Sequence, residues 1–133
     1  MIDVEADVFD RVARAILEEF PDAYVSSQHV SAPPQFPAAS LIETGNVEHQ
    51  QCSDTYGEAA SALTYTLNVY SNSQANAKAE CRRIAQIASE QMSAMNMTRL
   101  MCMPIDNAAD PSIYRMTARF TGLVDRKHVM YRR

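Results

Sequence analysis

Glycine is scarce in this chain: three in 133 residues, Gly45, Gly57 and Gly122, far from one another. Loops that cradle phosphates need glycines in clusters, so a P-loop and a dinucleotide-binding fingerprint are excluded. Long apolar runs are lacking as well, since no stretch approaches the ~18 consecutive apolar residues of a membrane-spanning helix. The opening MIDVEADVFD is acidic where a secretory leader is basic and then apolar, so synthesis in the cytoplasm is expected. Cysteine is limited to Cys52, Cys81 and Cys102, an odd number at spacings that match no zinc or redox motif. They read as reduced, mostly buried thiols. No serine stands in a G-x-S-x-G context, and no nucleophile, base and orienting group come together. The chain is therefore read as a non-enzyme, with no catalytic residue, cofactor or metal assigned.

What is present is one domain's worth of chain, residues 1–133, enough to bury a core without staples. The net charge of −4 hides an asymmetry. Residues 1–60 hold eleven acids against two bases, Arg11 and Arg14, whereas residues 61–133 hold five acids and ten bases. Either the two halves interleave within the fold, or an acidic face meets the basic face of an identical neighbour. A contact of the second kind is head-to-tail and generates a ring or a filament. The bases are spread rather than run together, which argues against sequence-specific nucleic-acid binding.

Periodicity supplies the elements. Val4, Val8, Val12, Ile16 and Phe20, with Phe9 and Leu17, make the apolar face of a helix over 3–20 with Asp3 as N-cap; Asp7, Arg11, Arg14 and Glu18 lie opposite, and Pro21 ends it. Ala23–Ser27 is extended, and the prolines of Ser31–Pro37 make a stiff loop. Ala38–Glu43 is a strand, and the polar Thr44–Glu58 reads as a long hairpin loop, a class of segment that in a compact domain carries contacts. Ser61–Tyr70 alternates most clearly, with Leu63, Tyr65, Leu67 and Val69 on one side. Asn72 or Ser73 caps a helix over 74–95, whose stripe is Ala77, Cys81, Ile84, Ala88, Met92 and Met95 with Ala85 beside it; Lys78, Arg82, Arg83 and Glu90 face solvent. Thr98–Ile105, Ile113–Val124 and His128–Tyr131 complete the strands, with a turn at Asn107–Pro111. In Ile113–Val124, Tyr114, Met116, Ala118 and Phe120 point inward and Arg115, Thr117, Arg119 and Thr121 outward. The order α-β-β-β-α-β-β-β predicts an α+β fold, a mainly antiparallel sheet with two helices packed on one face.

Several constellations carry two readings. His49 and Cys52 have metal-ligand spacing, but His29 and His128 would have to converge from elsewhere, and solvated loop residues are the plainer account. Met95, Met97, Met101, Cys102 and Met103 gather soft sulfurs suited to copper(I) in a small metal- or ligand-binding module, although methionine also fills irregular cores. Asp106 and Asp110 flank a turn that capping explains. Pro33 and Pro34 fit a proline-helix ligand or simple stiffening. Arg115 and Arg119 share a strand face that is either solvated or a contact for a neighbouring subunit.

The runs Glu18–Pro21, Ala23–Ser27, Pro33–Ser40, Leu67–Asn72, Ile113–Phe120 and Tyr131–Arg133, taken in order, resemble the small tail-terminator or tail-completion proteins of long-tailed bacteriophages. The resemblance implies a sheet packed on helices and a structural role in the virion tail or neck. It further implies a ring of six copies that ends the tail tube and presents a surface to the head connector, with genomic DNA passing through. The partners are then further copies of this chain, the tail tube protein and a head–tail connector or stopper protein. A head–tail adaptor or stopper is the neighbouring reading. No functional residue transfers from the family, so the contact surface is assigned on this chain's own polar residues: Asn46, Glu48, His49, Gln50, Asp54 and Tyr56 of the loop, Arg115 and Arg119 of the strand, and Arg132 and Arg133.

Overall fold

The apolar stripe of the first helix is what seats it. In the computed structural model, which describes residues 1–30, 32–48, 60–106 and 110–132, α1 spans Glu5–Glu19 and buries Val8, Val12, Ala13 and Ile16. Asp3 acts one residue earlier than a regular cap, accepting the Glu5 N–H at 3.1 Å, so the helix starts at Glu5 rather than at position 3. Leu17, expected in the core, is 39% exposed, because it lies on the flank of the helix away from Val8, Val12 and Ile16. Pro21 cannot donate to the helix, and the last turn closes with the Phe20 N–H on the Ile16 carbonyl at 2.8 Å.

The predicted order of elements is observed: β1 (Tyr24–Ser26), β2 (Ala38–Glu48), β3 (Ala60–Ser71), α2 (Ala77–Ala94), β4 (Thr98–Ile105), β5 (Tyr114–Asp125) and β6 (Met130–Tyr131) follow α1. They form one sheet in the order β1-β2-β3-β5-β4, with β6 also on β5. Every pairing is antiparallel except β1 with β2. The fold is α+β. A single core joins Val4, Val8, Val12 and Ile16 to Leu63, Tyr65, Leu67 and Val69 of β3, to Cys81, Ile84, Ile87, Ala88 and Met92 of α2, and to Met116, Ala118 and Phe120 of β5.

Three further features differ from the sequence reading. The second strand runs on to Glu48, so Thr44–Glu48 is not loop; a register shift between Glu43 and Gly45 breaks the alternation that would have revealed it. Residues 49–59 lie outside the described part. The second helix starts at Ala77 instead of 74, because side chains satisfy the backbone locally: Ser71 Oγ accepts the Ser73 N–H and Ser73 Oγ the Asn76 N–H, each at 3.3 Å. On β5, alternation puts Thr117 and Thr121 in solvent, yet they are only 8% and 7% exposed. Their hydroxyls donate across the strand to the Leu67 and Leu63 carbonyls at 3.2 and 3.0 Å, which tucks both side chains against the sheet.

The end of α2 is stopped by backbone geometry. Asn96 takes φ 62°, its N–H bonds the Ser93 carbonyl, and the Met97 N–H returns to the Met92 carbonyl at 2.9 Å. This is the double bond of a left-handed helix stop, with asparagine in the place glycine commonly fills. It delivers Met97 into the core, 1% exposed, against β5.

Glu43 gives the fold a pH dependence. It accepts the Tyr65 hydroxyl at 2.9 Å. Burial lifts its carboxyl above the ordinary value and outweighs the lowering bonds from Tyr65 and Asn46, while the charges of Glu5 and Asp3 push the same way as burial. The folded chain thus holds this proton more tightly than the unfolded one. Its contribution to stability is full below the unfolded pKa and is lost as pH rises through the folded value. Glu43→Gln keeps an acceptor for Tyr65 and removes the charge. Denaturant midpoints should show the variant gaining on the parent from acid to neutral pH; a constant difference would mean the charge costs nothing.

Candidate assembly surface

The helices cover one face of the sheet, and strand register fixes what the other presents. Rows run Ile105–Arg115–Tyr70–Ala38, Met103–Thr117–Asn68–Ser40 and Met101–Arg119–Thr66–Ile42. Arg115 and Arg119 are therefore on one face, as expected, but they differ in state. The Arg115 guanidinium donates to Asn68 Oδ1 at 2.9 and 3.3 Å, lies 5.5 Å over the Tyr70 ring and is half-buried. Arg119 is exposed.

The remaining assigned residues do not gather there. Asn46 sits near the far end of β2, where its amide donates to the Ile2 carbonyl at 2.8 Å and pins the segment leading into α1. Glu48 is exposed at the end of that strand. Arg132 folds back onto the end of α2, donating to the carbonyls of Met97 and Ser93 and to Ser93 Oγ at 3.3, 3.1 and 3.2 Å. There a cation also complements the negative end of the helix dipole. His49, Gln50, Asp54, Tyr56 and Arg133 lie outside the described residues.

The soft-sulfur cluster does not converge. Met92, Met97 and Met116 are core residues, and Met101 and Met103 alternate with Cys102 across β4, so they project from opposite faces. Cys81 is buried with its thiol pushed up to about 12, chiefly by desolvation, which makes it a poor nucleophile and a poor metal ligand. Among the described residues no group of three or more His, Cys, Asp or Glu side chains is placed to hold a metal ion. Asp110 is a turn residue: its carboxylate accepts the Ser112 N–H and hydroxyl at 3.0 and 2.6 Å, which hold it below its ordinary range. Asp125 likewise organises the turn into β6, accepting from the backbone of Lys127 and Val129 and from the Tyr131 hydroxyl. The exposed His128 occupies the left-handed position of that turn.

Two surface features were not legible in the sequence. The apolar residues Leu100, Met103 and Ile105 are 56%, 48% and 37% exposed on β4, an outer strand of the sheet. On the opposite side β1 covers only Ala38–Ser40 of β2, so among the described residues no strand pairs with the outer side of Leu41–Val47, a second edge on which Val47 is 64% exposed. Strand edges and exposed apolar residues of this kind are sites where another chain adds on. Their sequence signal is faint, because a half-exposed edge strand reads like any other strand.

The charge asymmetry is partly resolved inside the chain. Arg83 of the basic half clasps Glu19 of the acidic half through two hydrogen bonds of 2.6 and 2.7 Å. Both side chains are more than two-fifths exposed, so the pair adds little to stability. Three other α1 acids do not follow: Asp7, Asp10 and Glu18 face outward.

No helix among the described residues is long and apolar enough to cross a membrane. No protein-family model matches the chain, and neither does any curated protein. Among solved structures, a chain of the "Virion of native gene transfer agent (GTA) particle" is similar, with a TM-score of 0.65 over 89% of this chain and 91% of that one. At 13% sequence identity, what the two share is the fold.

Proposed function

We propose that this protein is a structural component of a phage-like virion, in which a ring of six copies ends the tail tube and joins it to the head connector. The observation that carries the reading is the fold held in common with a virion chain over about nine-tenths of both lengths. The ordered resemblance to tail-terminator proteins narrows it to the tail end. The two open strand edges and the outward acids of α1 supply what a head-to-tail ring needs. The tube or connector contact is placed on residues 49–59 and the adjoining end of β2, where Val47 is exposed. The role is one of binding and assembly in the virion, without catalysis.

Negative-stain imaging of the purified protein should show rings with sixfold symmetry. Added to polymerising tail tube protein, the rings should stop elongation, and shortening residues 49–59 should abolish that effect while denaturant midpoints stay at the parental value. Rings that bind connector assemblies and ignore tube ends would instead make the protein an adaptor or stopper. A monomer that changes neither would overturn the proposal.

A further inference from the structure

A groove between α2 and β4 is lined by arginines. It has two continuous parts, of about 360 and 370 Å³, which share Gln86, Ser89 and Arg99. Arg82 and Arg99 line it, exposed, and neither makes a hydrogen bond or ion pair among the described residues. Ser89 Oγ is buried at its base with no hydrogen-bond partner, an uncommon state for a buried hydroxyl. Ala85, Met116 and Cys102 supply the apolar and weakly polar remainder. Two planar guanidiniums match the paired oxygens of a carboxylate.

The position of the groove names its occupant. On α2, Arg83 and Gln91 face α1, bonding Glu19 and Arg11. Arg82, Gln86 and Ser89 recur at helical spacing on the other flank, beside β4. α1 and the groove thus lie on opposite sides of one helix. Asp7 and Asp10 of α1 are exposed, with no bond among the described residues. The exposed face of α1 carries Asp7, Asp10 and Glu18 against Arg11 and Arg14, a net negative surface, whereas the groove carries Arg82, Arg99 and Arg132 against Glu90, a net positive one.

We propose that the α2–β4 groove binds acidic side chains of α1, Asp7 and Asp10, from a second copy of this chain. The contact is heterologous, so repetition closes a ring. It rests on the ring reading above and identifies the surface that holds the ring together. The part of the charge asymmetry that the Arg83–Glu19 pair leaves over is then satisfied between copies.

Charge exchange tests the pairing. Arg82→Glu with Arg99→Glu, and separately Asp7→Lys with Asp10→Lys, should each weaken self-association by roughly a hundredfold or more, because like charges then face each other. Mixed in equal amounts the two variants should assemble again, alternating around the ring, since each reversed groove meets a reversed α1. Sedimentation velocity reads association, and denaturant midpoints check that both variants fold. As an independent readout, alkylation of Cys102 in the parent should slow in the assembled state, with peptide mapping separating it from Cys52 and Cys81. If rings form at parental strength in either double variant, or the mixture fails to restore them, the groove does not hold α1 and the ring reading stands alone. If the reversed groove leaves rings intact but loses tube or connector binding, the groove takes a different partner and the inference is overturned. A parent that stays monomeric overturns both.

Discussion

Leu67→Ala should lower the stability of the fold by about 2–5 kcal/mol, the usual range for emptying a packed leucine site. Leu67 is 1% exposed on the central strand β3, with Leu41 opposite on β2 and Ala118 opposite on β5. The helices close the site from above, with Ile84, Ala88 and Met92 of α2 in the same core. With strands hydrogen-bonded on both sides, the backbone cannot move in to fill the space, so the upper part of that range is expected. Chemical denaturation measures it. A loss below about 0.5 kcal/mol is the scale of an ordinary surface substitution and would show that β3 is not the buried centre of the sheet.

Gly122→Val should cost about 1–3 kcal/mol through overpacking. A Cβ at position 122 of β5 would stand 2.5 Å from Met97 Sδ and 3.7 Å from the Asn96 carbonyl oxygen. A methionine side chain can usually swing aside. This one is 1% exposed and emerges directly from the left-handed stop of α2, so it has neither space nor a free backbone. Met97→Ala in the Gly122→Val background should recover part of the loss, and the double-mutant cycle isolates the contact. Additive effects of the two changes would place the strain elsewhere. The glycine is thus a close-packing residue, a role invisible in the sequence because its partner lies 25 positions earlier.

Local pattern accounts for most of what the sequence disclosed. The four-residue spacing of Val4, Val8, Val12 and Ile16 and the alternation of Leu63, Tyr65, Leu67 and Val69 each concern one element and its buried side, and all eight residues are core. Burial of apolar surface supplies most of the driving force for folding, so a periodicity written in apolar residues is seldom overridden. Element order and the α+β class follow from those periods. The pattern of strand β2 fails at the register shift near Gly45, since a bulge moves every later side chain to the other face, and the strand's far half is hidden for that reason. The start of α2 is obscured because serine side chains compete for the backbone, a choice of a few tenths to about one kcal/mol that composition does not settle.

Charge and polar contact behave differently. The division into an acidic and a basic half is a property of the sequence alone. Which arginines remain available is decided only by the tertiary structure. Arg115 is held by Asn68 and Tyr70, Arg83 by Glu19, and Arg132 by the end of α2, whereas Arg82 and Arg99 are left facing an open groove. The physical reason is range. A hydrophobic side chain needs only to be inside, and its period says which side that is. A guanidinium is consumed or left free by a specific acceptor within about 3 Å, and these acceptors lie 47, 64 and 39 positions away along the chain.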